Sequence, residues 1–223
     1  MPLPHTRLRA YYDWLGKKLD TQSFYEDPAL EKLIEHADFG ACEQVFEFGC
    51  GTGRFAERLL RRHLPPAASY LGIDLSPVMV DIARRRLAPF GARAKVEQTD
   101  GSIHIPMPDH AVDRVIATYV LDLLDEADAR RFIEQAHRVL KPSGLLCLAC
   151  LTDGVTWPSR MVSGLWSALY RLSPVLVGGC RPFHPAACID PTRWQITYEE
   201  VMTPFAVPTL ALVAAPIAPE ARR

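Results

Sequence analysis

The residues best placed to do chemistry lie in Glu47-Phe48-Gly49-Cys50-Gly51-Thr52-Gly53, where three glycines alternate with other residues just after an acid. Glycine has no Cβ to hold a ligand away from the backbone and adopts positive φ freely, so this spacing suits a tight turn that closes on a bound molecule. The dinucleotide fingerprint GxGxxG sets its third glycine one residue later, where this chain has Arg54. A carboxylate two residues before the first glycine also suits a ligand bearing an ammonium group better than one bearing phosphates.

Further acids recur at comparable places. Asp74 closes the run Tyr70-Leu71-Gly72-Ile73 and lies 21 positions after Gly53. An acid about 20 residues beyond a glycine turn, at the tip of the next strand, can accept two hydrogen bonds from a ribose diol. Asp100 sits in Thr99-Asp100-Gly101-Ser102 after another short strand pattern, although Asp-Gly is also an ordinary turn pair. Asp122 interrupts the mostly apolar Thr118-Tyr119-Val120-Leu121-Asp122-Leu123-Leu124. A buried carboxyl needs a partner or a shifted pKa, so Asp122 reads either as a group that orients or deprotonates an acceptor or as a cap for the next turn.

To bring these groups together the chain needs strands that end on them and helices that return between strands. Residues 45–48, 70–74, 94–98, 112–118 and 145–151 read as strands, and between them run helical patterns such as Phe55, Ala56, Leu59 and Leu60, or Met79, Val80, Ala83 and Leu87. Ser76-Pro77 supplies a cap and a first-turn proline for the second of these helices. Arg84, Arg85 and Arg86 near its end read as a solvated face, favoured there by the helix dipole. Two helical patterns precede the first strand, Leu8-Tyr11-Tyr12-Leu15-Leu19 and Leu30-Leu33-Ile34-Ala37. After the core, residues 160–172 form an amphipathic lid, residues 175–185 a loop containing Arg181 and His184, and residues 194–198 and 205–213 two last strands, with Pro208 arguing for an edge or a bulge.

The EFGCGTG segment resembles the first motif of the class I S-adenosylmethionine-dependent methyltransferases. GIDLSPVMVDIA is similar to the second motif of the group related to ubiquinone and menaquinone biosynthesis, and the helix, Lys141-Pro142-Ser143-Gly144 turn and apolar strand resemble the last cofactor-domain motif. The likeness covers residues 40–151; the ends agree in layout only. It implies an α/β, Rossmann-like methyltransferase fold with a mostly parallel seven-stranded sheet, helices on both faces and a C-terminal antiparallel hairpin. One domain would span residues 1–223, with cover helices to 40, a cofactor core over 41–152, an acceptor-side lid over 153–190 and the hairpin over 191–215. By the same resemblance Gly49, Cys50, Gly51 and Gly53 meet the methionine part of S-adenosylmethionine, with Glu47 near its ammonium group. Asp74 takes the ribose hydroxyls, Leu75 packs on the adenine and Asp100 binds its edge, and Met79, Gly101 and Ser102 also belong to the cofactor site. Thr118 and, through the segment Tyr11-Tyr12-Asp13-Trp14, Tyr12 complete the cofactor set. Asp122 or His184 is the base where the acceptor must lose a proton, and the product is S-adenosylhomocysteine.

Composition bounds these readings. A chain of 223 residues with 48% apolar composition can bury one substantial core, and a net charge of -1 gives no general electrostatic case for nucleic acid. No run is long and apolar enough to span a bilayer, and Met1-Pro2-Leu3-Pro4-His5 lacks the parts of a signal peptide, so a cytoplasmic monomer or homodimer acting on a small-molecule acceptor is expected. The lid leaves room for peripheral membrane contact. Six scattered cysteines suggest reduced thiols and no metal site, because Cys147 and Cys150 on one strand point to opposite faces. The other readings are a non-catalytic S-adenosylmethionine-binding protein and a nicotinamide-dependent oxidoreductase, which needs the missing fingerprint. Arsenic methyltransferases need grouped cysteines that this layout does not offer.

Overall fold

The computed structural model describes residues 3–217. The C-terminal tail of Ala, Pro, Glu and Arg, whose composition predicts fraying, lies largely outside these described residues. Helices α1 (His5–Leu15) and α2 (Ser23–His36) precede strand β1 (Gln44–Phe48). Next come α3 (Arg54–Arg62), β2 (Ser69–Asp74), α4 (Pro77–Leu87), β3 (Ala94–Gln98) and β4 (Val112–Thr118). The chain continues through α5 (Glu126–Val139), β5 (Leu140–Leu151), α6 (Trp157–Leu172), β6 (Trp194–Met202) and β7 (Thr209–Pro216).

The strands form one seven-stranded sheet in the order β3-β2-β1-β4-β5-β7-β6. The first five are mutually parallel, and β7 is antiparallel to both neighbours. Connections from β1 run one way to β2 and β3, then the chain crosses to β4 and β5, which opens a crevice at the strand tips between β1 and β4. The strands alternate between two cores: Phe46, Phe48, Val115, Leu146 and Leu148 face α5, while Val45, Ile116, Cys147 and Ala149 face α2, α3 and α4. Cys150 joins the first core and Cys147 the second, so the two thiols point apart as expected.

The ends of several elements differ from the sequence reading. The first helical pattern stops at Leu15, because Gly16 turns to φ +50°, and Leu19 belongs to a 3-10 turn over Gly16–Gln22. Lys141-Pro142-Ser143-Gly144 bulges out within β5, whose pairing jumps from Leu140 opposite Val112 to Leu145 opposite Arg114. Phe205 and Ala206 lie in a turn with positive φ, so the last strand starts at Thr209. Pro208 therefore precedes that strand, and the strand is interior rather than an edge.

Arg114, buried in β4, ties the N-terminal helices to the sheet. Its guanidinium donates to the carbonyls of Ala37, Asp113 and Asp38, the last two at 2.7 and 2.9 Å. The neighbouring Asp113 carboxylate accepts the amides of Glu43 and Gln44 and meets Lys141 at 2.9 Å, which fixes where β1 begins. Arg114→Met removes these three hydrogen bonds, leaving the Asp38 carbonyl the longer bond from the Ala41 amide at 3.3 Å, and is expected to cost about 2 kcal/mol of unfolding free energy, read as a lower urea midpoint at unchanged slope.

Candidate functional site

The glycine loop is fastened to the tip of β2. Gly49 and Cys50 donate their amides to the Ile73 carbonyl at 2.8 and 3.0 Å, and Gly51 donates to an Asp74 carboxylate oxygen at 2.9 Å. The other Asp74 oxygen accepts from the Ser76 amide at 2.8 Å. Gly49, Gly51 and Gly53 have φ of +71°, +53° and +73°. A Cβ on Gly49 would stand 2.3 Å from Val120 Cγ2, whereas one on Gly53 would press on Ala83 at 3.1 Å. The first glycine thus admits the β4 loop, and the third lets α3 lie close on α4.

Above this loop a cavity of about 610 Å³ follows the strand tips across the crevice. On the side of β2 and β3 it is lined by Leu75, Met79, Thr99 and Gly101; at the centre by Glu47, Gly49, Cys50, Gly51 and Asp74. On the side of β4 and β5 it is lined by Thr118, Tyr119, Asp122 and Cys180, and Tyr12, Tyr25 and Glu26 join from the N-terminal helices. Of the residues singled out from the sequence, four lie elsewhere. Gly53 is buried in helix packing, and Asp100 and Ser102 are exposed, with the Asp100 carboxylate accepting the Ser102 amide at 2.8 Å. His184 is exposed and bonded to Asp153 at 2.9 Å and to Thr152 at 3.3 Å, so it does not reach the cavity as a base.

Asp122 is the outlier of the site. It lies in the 3-10 turn Leu121–Leu123, it is fully buried, and neither carboxyl oxygen has a hydrogen-bond partner among the described residues. Capping of the next helix falls to Asp125, which accepts the Asp128 amide. Burial drives the Asp122 pKa up to about 7, only partly opposed by the nearby backbone amides of Asp122 and Leu151 and by Arg181. Cys180 stands beside it, with its thiol 3.8 Å from the Tyr12 hydroxyl. Glu47, also buried, accepts the Tyr70 hydroxyl at 2.5 Å and is raised to about 7, again by burial first. Burial likewise lifts Asp74 to about 6.

Several of these groups carry no local sequence signal. Glu26 is held by Arg54 at 2.9 Å yet raised to about 7 by its burial. Arg86, read from the sequence as a solvated cation, reaches back to Asp20 at 2.5 Å and to the Thr52 hydroxyl at 2.8 Å. Burial disfavours the charge on Asp20, but hydrogen bonds from Arg86 and Thr52 outweigh it and hold that carboxyl below its usual range. These contacts close α1 and the turn after it over the cavity, a pairing of distant segments that no spacing encodes.

A methyltransferase-domain family model matches residues 45–144, the stretch from β1 to the bulge in β5. Residues 45–144 are those of a methyltransferase domain. Demethylmenaquinone methyltransferase of Lactobacillus johnsonii is 25% identical over 174 residues, covering 76% of this chain and 66% of that protein. The tRNA N(3)-cytidine methyltransferase METTL2 of Danio rerio is 31% identical over 111 residues, covering 48% of this chain and 31% of that one. The chain thus spans about one third to two thirds of the length of these relatives. Among solved structures, a chain in the complex of the Haloferax volcanii Trm112 methyltransferase activator with a methyltransferase superposes with a TM-score of 0.72, at 16% identity, over 96% of this chain and 99% of that chain. The seven-stranded sheet with its antiparallel β7 is therefore the methyltransferase fold, as its motifs implied. Among the described residues no helix of this methyltransferase domain is long and apolar enough to cross a membrane.

Proposed function

We propose that this chain binds S-adenosylmethionine in the cavity and directs its methyl group to a small, largely apolar molecule held between Tyr12, Tyr119, Asp122 and Cys180. The observation that carries the reading is the buried, unpartnered Asp122 carboxyl, set in the same cavity as the glycine loop, Glu47 and Asp74. The residues fit such a cofactor. Its amino group offers the cation that a buried Glu47 lacks, each Asp74 oxygen keeps a lone pair beyond its one amide bond, and Leu75 and Met79 give a base apolar walls.

S-adenosylmethionine, when bound, supplies a methyl carbon already made electrophilic by its sulfonium, so the chain has mainly to align the acceptor and keep water out. The tyrosines and leucines around Asp122 exclude water. Asp122, titrating near neutrality, accepts a hydrogen bond from the acceptor's O–H or N–H and takes that proton as the new bond forms. The acids lining the cavity favour a neutral or cationic acceptor over a polyanion, which is why a small molecule is preferred to a nucleic acid.

Isothermal calorimetry with S-adenosylhomocysteine tests the cofactor half. Because the ligand's ammonium favours the charged form of Glu47, binding displaces a proton, and affinity is expected to rise about tenfold between pH 6 and pH 8. Glu47→Gln binds more weakly and flattens that dependence. No binding at any pH removes the proposal. Binding without methyl transfer to any member of a panel of phenols, amines and carboxylic acids would leave a cofactor-binding protein that is not an enzyme.

A further inference from the structure

Helix α6 turns much of its apolar surface outward, with Val162, Trp166 and Leu169 half-buried. Ser159 and Ser163 are buried, the first in a capping box with Thr156 and the second accepting the Gly154 amide at 3.1 Å. Trp157, Met161, Leu165 and Leu172 are instead 75%, 58%, 64% and 78% exposed. With the exposed Gly164 and Ala168 they form one stripe along the helix, and Val175 and Leu176 extend it into the following turn. The stripe continues onto α1. Tyr11 packs against Gly178 at the end of that turn, and its ring lies 6.1 Å from Trp14, itself 69% exposed. Separate exposed apolar side chains are ordinary; an unbroken stripe of them is an interaction surface.

Charge identifies what the surface meets. From Gly154 to Ile189 there is no aspartate or glutamate, while Arg160 and Arg171 are exposed along one edge of the stripe. At its α1 end Lys17 and Lys18 are exposed, the Lys18 ammonium lying 5.4 Å from the centre of the Trp14 ring. The one acid nearby on α1, Asp13, is engaged by Arg9 and Ser76. A second copy packed antiparallel on α6 would bring Arg160 toward the partner copy's Arg171 with no carboxylate on the helix to answer either. An apolar stripe with cations along one edge and at its α1 end, the nearest exposed acid, Asp153, being paired with His184, matches a bilayer surface that carries negative headgroups, the helix lying in the plane of the interface.

We propose that the face formed by α6, the turn after it and the Trp14 end of α1 docks on an anionic lipid bilayer. The face shares its scaffold with the acceptor side of the cavity: Trp166 of α6 donates its indole N–H to the Cys180 carbonyl at 3.0 Å, and Cys180 lines the cavity beside Asp122. An apolar acceptor dissolved in the bilayer would thus enter beside the group that orients it. That last step rests on the function proposed above, whereas the docking itself does not.

The test is co-sedimentation of the full chain with vesicles of phosphatidylcholine alone or with equal parts of phosphatidylglycerol. Binding to the anionic vesicles is expected to be at least about tenfold tighter than to neutral ones and to weaken with salt. Trp157→Ser combined with Leu165→Ser, and separately Arg160→Glu combined with Arg171→Glu, should each lose at least about tenfold in vesicle affinity. All four positions are exposed and outside the cavity, so thermal midpoint and S-adenosylhomocysteine affinity should stay at wild-type values, which separates this proposal from the cofactor reading. Equal binding to both vesicle types, or unchanged binding by both variants, overturns it. So does absence of vesicle binding together with a dimer, seen by sedimentation velocity, that the serine variant abolishes; the face would then belong to a second copy.

Discussion

Asp122→Asn is expected to make the ligand-free chain more stable at pH 8 by about 2 to 4 kcal/mol while cutting methyl transfer at least about 100-fold. The sign follows from the direction of the shift. Asp122 titrates near 7 in the folded chain against 3.8 ordinarily, so folding takes up a proton between those values. The stability this group contributes is complete below about pH 4 and disappears as the pH rises through about 7, leaving a buried, unpaired charge above it. Asparagine keeps the shape without the charge, and its unmet amide hydrogens hold the gain below the full value of the shift. Urea denaturation at pH 4 and pH 8 measures this: the two proteins should be alike at the lower pH and diverge at the higher. Glu26, Glu47 and Asp74 are displaced in the same direction, so the variant's profile flattens by one group and no more. Cofactor affinity should be unaffected, and His184→Ala should leave turnover unaltered because that ring is spent on Asp153 and Thr152. Equal pH profiles for wild type and Asp122→Asn would mean that the carboxyl is paired or solvated in solution.

The second large effect belongs to Gly49. At φ +71° an alanine bears the left-handed cost, about 1 kcal/mol, and its methyl would fall 2.3 Å from Val120 Cγ2. Either Val120 or the loop must move, and the loop is bonded through Gly49, Cys50 and Gly51 to the tip of β2. Gly49→Ala is therefore expected to lose about 3 kcal/mol of stability and about 100-fold or more in S-adenosylhomocysteine affinity. Adding Val120→Ala removes the collision but not the backbone cost, so the double variant should recover part of the stability. Wild-type affinity in the single variant would show that the ligand does not rest on this loop.

The sheet was largely legible because its signals are local. Each central strand is a short apolar run ending at a glycine, an acid or a turn, and Ser76-Pro77 announces the start of α4, where Ser76 accepts the Met79 amide. The glycine spacing alone separates this turn from a dinucleotide fingerprint. What a strand-tip acid faces was harder to read. Asp74 and Asp100 look alike in sequence, yet Asp74 accepts the Gly51 amide of the glycine loop and lines the cavity, whereas Asp100 folds back on Ser102 as an ordinary turn residue. Glu26, Asp20, Arg86 and Cys180 reach the site only because distant helices and a late loop fold over it, and periodicity records which face of a helix is apolar but not what it covers. Helix α6 shows the same limit: its amphipathic pattern is plain, but the pattern alone did not say that the apolar side faces out.

The roof over the cavity is held shut in an unusual way. In α1 only Leu8 is buried, and the turn Gly16–Gln22 buries nothing. Its hold comes from Asp20 on Arg86 and Thr52, and Asp13 on Ser76. One ion pair and two hydroxyl bonds, rather than packed side chains, can part without disturbing either core. Raising ionic strength weakens the Asp20–Arg86 pair, so the roof should open somewhat faster in salt, making passage to and from the cavity a matter of the medium as well as of the fold.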